Sequence, residues 1–199
     1  MNRTRLVLAG AVLASLVFSS PAHAIVDGTL DNNDHPYVGL VAMYDADGNY
    51  LYRGTGTLIG PRLLLTAGHI TAAPGVRAQV FFQSAIQSPI KGPIHLRAER
   101  TRYKGVVTLI NLHNSLATGY NLQHTGDNGK GNGSGGTNFG DSGGPVFLPG
   151  TNVIVAISSF GLNNQGTGPG FAYRTDILDT QLFIADQMAI QEELALLED

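Results

Sequence analysis

Between residues 38 and 174 the chain runs in short apolar segments, each about one strand long and each closed by a turn signal. Residues 38–44, 51–59, 62–66 and 76–82 form the first such set, separated by Asp47-Gly48, Gly60-Pro61 and Pro74-Gly75. A second set, 105–112, 146–148, 153–160 and 171–174, follows, with Pro149-Gly150 placed as a hairpin turn. Runs of this length between glycine and proline punctuation predict strands rather than helices. With 26 glycines and only 14% charged residues the chain has few helix-favouring positions. Residues 126–136 are almost wholly Gly, Asn, Ser and Asp and predict a loop. Only the C-terminal segment reads as a long helix, with Asp179 or Thr180 as its cap and Phe183, Ile190, Leu194 and Leu197 on one face. The pattern predicts an all-β barrel or sandwich with one C-terminal α-helix.

The first 24 residues predict a signal peptide. Arg3 and Arg5 precede an apolar run over 6–18, and Ala22-His23-Ala24 places small residues where signal peptidase reads them. Thirteen apolar residues are short for a bilayer span of about 20. Cleavage would leave a chain starting at Ile25, secreted to the extracellular space or periplasm and free of the membrane, and would take the net charge from −3 to −5. A negative chain offers no basic footprint for nucleic acid. With no cysteine, thiolate metal sites and cysteine nucleophiles are excluded, and nothing in the sequence calls for a metal or a cofactor.

Two motifs carry chemistry. In Gly140-Asp141-Ser142-Gly143-Gly144-Pro145 a serine sits between glycines that permit a tight turn. A serine hydroxyl needs a neighbouring base to remove its proton and backbone N–H groups aimed at the oxyanion formed on attack. In Leu65-Thr66-Ala67-Gly68-His69 an apolar strand delivers a histidine at its end. A lone histidine is more often structural, which is the reading for His35, His95, His113 and His124.

Taken with Ile25-Val26-Asp27-Gly28, these motifs resemble, in order, those of the trypsin/chymotrypsin family of serine endopeptidases, in particular its bacterial secreted members. The resemblance covers residues 25–82 and 132–185, with weaker matches at Ser159-Phe160-Gly161 and Pro169-Gly170-Phe171. It implies a chymotrypsin-like double β-barrel over 25–199, incomplete and shortened between about 83 and 131. It implies an acyl-enzyme on Ser142 with His69 as general base, and an oxyanion hole from the amides of Gly140 and Ser142. Peptide or protein substrates would add a strand to Ser159, Phe160 and Gly161. The α-ammonium of Ile25 would pair with Asp141 and order the oxyanion loop. The primary pocket would have Gly136 at its base and Gly161 and Gly170 as walls, a neutral slot suited to an apolar or aromatic side chain rather than Arg or Lys.

The third triad member is where the pattern breaks. Apart from Asp141, the interval from His69 to Ser142 holds two carboxylates, Glu99 in an arginine cluster and Asp127 in the glycine-rich loop. A deletion between 82 and about 97 accounts for the loss. The expected activity is therefore that of a secreted serine endopeptidase. The alternatives are a catalytically impaired homologue that binds peptides or proteins in the old cleft, and a truncated product that folds poorly because half-lost barrels expose strand edges.

Overall fold

The structure, a computed structural model, describes residues 25–26, 28–86, 100–126, 135–162 and 168–197. The signal segment, Asp27, His95, Glu99 and Asp127 lie outside the described residues, as does most of the loop expected over 126–136.

Two antiparallel sheets dominate. The first has the order β4-β3-β2-β5, from β2 (Val38–Tyr44), β3 (Tyr50–Gly60), β4 (Leu63–Thr66) and β5 (Arg77–Phe81). The second has the order β11-β12-β13-β10-β9, from β9 (Leu109–Asn111), β10 (Asn121–His124), β11 (Pro145–Phe147), β12 (Ile154–Gly161) and β13 (Gly170–Arg174). Two short ladders join them along the chain. One pairs β1 (Thr29–Leu30) with β8 (Tyr103–Lys104), the other β6 (Ala85–Ile86) with β7 (Arg100–Thr101). The expected all-β architecture with a terminal helix is thus observed.

Strand limits agree with the apolar segments to within a residue or two, except that 105–112 supplies only the short β9 and that β10 carries no apolar run to announce it. The turn at Pro149-Gly150 does join an antiparallel pair, with Gly150 at φ 74°. A left-handed backbone there suits glycine, which lacks the Cβ that resists it.

The core lies where the sheets meet. Val41 and Met43 of β2 pack with Ala67 and Ile70 beyond β4 and with Ile157 of β12, so both sheets contribute to one apolar cluster. Leu122, Ala156 and Ala172 form a second cluster inside the five-stranded sheet.

Helix α1 (Leu178–Leu196) corrects the expected cap. It starts before the expected caps, after Ile177, so that Asp179 falls in the first turn, where its charge complements the exposed N–H groups. The apolar face formed by Phe183, Ile190, Leu194 and Leu197 is exposed rather than packed against the sheets. The half-covered stripe is Thr180, Ile184, Gln187 and Gln191, spaced as one helical face. Apolar residues surround this helix, so periodicity alone does not choose the side that meets the sheets.

A buried carboxylate ties the short ladders to the first sheet. Asp31 is 1% exposed and takes hydrogen bonds from the His35 amide at 3.1 Å, His35 Nδ1 at 2.5 Å and Arg102 at 3.3 Å. Burial opposes its ionisation, but the bonds from His35 and Arg102 outweigh that and hold the carboxyl below its usual range. Arg102 also donates to the Phe82 carbonyl at 2.7 Å, joining the strand leaving β5 to β7 and β8. The His35 ring stacks on Phe147 with centroids 5.1 Å apart. Substituting Arg102→Met should destabilise the fold by about 3 kcal/mol in denaturant unfolding, because it strips a partner from a buried charge.

Candidate functional site

The turn at 140–145 is clamped between the sheets by backbone bonds. Thr55 of β3 donates its amide to the Ser142 carbonyl at 2.7 Å and its hydroxyl to the Gly140 carbonyl at 2.7 Å. From the other side, Gly143 donates to the Ser158 carbonyl and Ser158 donates back to Gly144, each at 2.8 Å. Gly143 has φ 87° and lies so close to β3 and β4 that a Cβ would strike the Thr55 carbonyl and the Thr66 hydroxyl, and would sit 2.9 Å from the Ala67 amide. Only glycine fits there. The serine turn therefore rests on the residues that immediately precede His69.

His69 follows β4 in a single 3₁₀ turn, Gly68–Ile70, held by the Ile70 amide bonding to Ala67 and by burial of Ile70. Its ring is exposed. The Ser142 hydroxyl is half-buried and donates to the Ser159 carbonyl at 3.4 Å. No hydrogen bond joins Ser142 to His69, and none of the described carboxylates pairs with His69. The expected contact between the two side chains is thus absent at this geometry, the hydroxyl being turned to β12. Glu99 and Asp127, the two candidate triad carboxylates, are outside the described residues.

Neither the Gly140 nor the Ser142 amide has a hydrogen-bond partner among the described residues, and Gly140 adopts φ 104°. Two unengaged N–H groups flank the serine. Ser159, Phe160 and Gly161 lie on β12 beyond Ile157, the last residue paired to β11, so this stretch has an edge without a strand partner among the described residues. Its other edge pairs Phe160 with Phe171 and Gly161 with Gly170, and the two phenyl rings stack 4.7 Å apart.

Asp141 is 8% exposed and receives the Asn138 amide at 2.8 Å. Loss of solvent dominates its titration and pushes its pKa up to about 7, against the lesser opposing effects of the Asn138 bond and the Arg53 charge. Arg53 lies over Gly140, its Nε 3.2 Å from where a Gly140 Cβ would sit. Val26 exchanges two backbone bonds with Gly136, both 2.9 Å. That bridge holds Ile25 against Gly135, and Ile25, Arg53, Gly136 and Asp141 line one cavity of about 1430 Å³. Sequence reasoning missed Arg53 and two further residues of this region, His124 and Thr137, because none belongs to a motif. Only strand pairing and loop closure bring them here.

Neither a protein-family model nor a curated protein sequence matches the chain. Among solved structures it is similar to HL collagenase, at 16% identity and a TM-score of 0.56, over 83% of this chain and 99% of that one. The fold is chymotrypsin-like.

The Asp141 carboxyl generates a pH test. At its folded pKa of about 7 it keeps a proton that the unfolded chain releases near pH 4. Stability attributable to this group is therefore greatest below about pH 4 and declines as pH rises to about 7. Asp141→Asn, which still accepts the Asn138 bond, should flatten that decline in denaturant midpoints measured across the window.

Proposed function

We propose that the chain is a secreted serine endopeptidase that cleaves peptide bonds through an acyl-enzyme on Ser142, with His69 as general base. The observation that carries the reading is the seating of Gly143 against Thr66 and Ala67, which puts the serine turn beside the histidine turn. General-base catalysis by His69 would need the Ser142 hydroxyl released from the Ser159 carbonyl, and a substrate main chain that engages β12 would compete for that carbonyl. The free amides of Gly140 and Ser142 are the groups that would receive the oxyanion. The unpaired stretch Ser159, Phe160 and Gly161 offers the edge on which a peptide would lie as an added strand.

Export supplies the activating group in this reading. Signal cleavage before Ile25 creates an ammonium next to the cavity that Asp141 lines. Pairing would offset the burial that now disfavours the Asp141 carboxylate and would order the loop carrying both oxyanion donors. A second reading, a homologue that binds peptides in the same cleft without cleaving them, is favoured by the lack of a described carboxylate partner for His69.

Fluorophosphonate labelling of purified protein beginning at Ile25 distinguishes the two. Labelling that Ser142→Ala abolishes supports the enzyme; its absence in the parent protein leaves the binder. An extra residue ahead of Ile25 should slow labelling about 10²-fold, the scale of one lost oxyanion donor. Glu99→Gln and Asp127→Asn should each change peptidase rate by less than about tenfold, against about 10⁴ for loss of a true triad carboxylate. A thousands-fold loss in either variant would instead identify a rebuilt triad.

A further inference from the structure

Helix α1 meets the sheets along one narrow stripe. It runs for 19 residues, about 28 Å at 1.5 Å per residue, yet none of its side chains is buried. Phe183, Ile190, Leu194 and Leu197 form one exposed apolar row. Leu178, Leu182 and Leu196 form a second, and exposure across the two rows runs from 45% at Leu194 to 78% at Leu196. A contiguous apolar surface of this kind marks a contact site.

An acidic row runs between the two. Asp179, Asp186 and Glu193 recur at every seventh residue, and all three are exposed. Residues three and four apart are neighbours on a helix surface. Asp186 therefore lies beside Phe183 and Ile190 on one side and Leu182 and Ala189 on the other, and Glu193 is flanked in the same way. These charges have no counterpart on the helix, since residues 178–197 contain no Lys, Arg or His. None of the three acids forms an ion pair among the described residues. Glu193 also stands in the last turn, where unpaired carbonyls already carry partial negative charge and no basic side chain offsets them.

The acidic row decides between the occupants that could cover the apolar ones. A second copy would set carboxylate against carboxylate in either orientation, because the spacing of 179, 186 and 193 reads the same in both directions. Helices that lie on a bilayer carry Lys or Arg on their polar face, which this one lacks, and a bilayer would press the acids into its interface. A cationic helix suits both features. We propose that the outward face of α1 docks an amphipathic helix of another protein. Its apolar side chains would interleave with the two leucine-rich rows, and its Lys or Arg residues, at heptad spacing, would meet Asp179, Asp186 and Glu193. The same cations would offset the charge at the C-terminal end of α1.

Two fluorescent peptides of leucine heptads, one with lysine and the other with glutamate in the row that faces the acids, would be titrated into the purified protein by anisotropy. The lysine peptide should bind about a hundredfold tighter, a few exposed ion pairs being gained in one complex and reversed in the other. Asp186→Lys combined with Glu193→Lys should invert that order, and Ile190→Ser should weaken both peptides about tenfold by removing apolar contact. Amide NMR shifts caused by the lysine peptide should centre on residues 178–197, and its affinity should fall with added salt. Equal affinities for the two peptides, an order that the double variant leaves unchanged, or shifts centred elsewhere would overturn the proposal. So would a dimer of the protein alone in sedimentation equilibrium that Ile190→Ser dissolves, which gives the face to a second copy. Binding to phosphatidylcholine or phosphatidylglycerol vesicles that Ile190→Ser abolishes would overturn it in favour of a membrane. Should the double variant not fold, the salt dependence and the place of the shifts in the parent protein decide.

Discussion

The contact of Gly143 with Thr55, Thr66 and Ala67 is the joint on which both halves of the molecule depend. On one side the serine turn hangs from β3 through the Thr55 bonds, and on the other it is stitched to Ser158 of β12. Backbone can approach backbone this closely only where no Cβ intervenes. The same joint brings Ala67 and Ile70 against Ile157, so the apolar core shared by the sheets forms directly beneath the two motifs. A larger residue at 143 would strike the Thr55 carbonyl and the Thr66 hydroxyl and press the two sheets apart.

Around that joint the charges are unevenly satisfied. Asp31 is buried yet ionised, because His35 and Arg102 supply three hydrogen bonds. Asp141 is comparably buried but has one backbone bond and the more distant Arg53 charge, and its pKa rises to about 7. The difference between the two aspartates is the number of donors at hand, since burial alone raises any carboxyl pKa. An aspartate held in this state would respond to a new cation, such as the ammonium that the proposed cleavage before Ile25 would create. His124 Nε2 poses the same question in neutral form, an acceptor withdrawn from water without a donor among the described residues.

Strand positions were readable from residues 38–174 because turn residues punctuate the apolar runs at strand length, and that signal is local. The motifs around Ser142 and His69 were readable too, because their glycines are demanded by backbone geometry within a few residues. Helix α1 shows the limit of such signals. Its existence followed from composition, but the face it turns inward was decided by which side β12 and β4 left uncovered. β10 went unnoticed because Asn121, Gln123 and His124 are polar, their burial arising only once β13 and β9 lie on either side.

Residue order and type thus determined most strands of the two sheets, though not β10, together with the serine and histidine turns and the absence of metal-binding thiols. They could not determine pairings between residues 17 to 85 positions apart: Thr55 with Gly140, Arg102 with Asp31, Ser142 with Ser159, His124 with Gly170. Those depend on register between strands distant in sequence, and a one-residue slip would send every side chain of a strand to the opposite face. Tertiary structure alone therefore turned His124 from an isolated histidine into a buried side chain packed over Gly170 and gave Asp141 its raised pKa. Both follow from what neighbouring strands exclude, which is water, and that exclusion has no local trace in the chain.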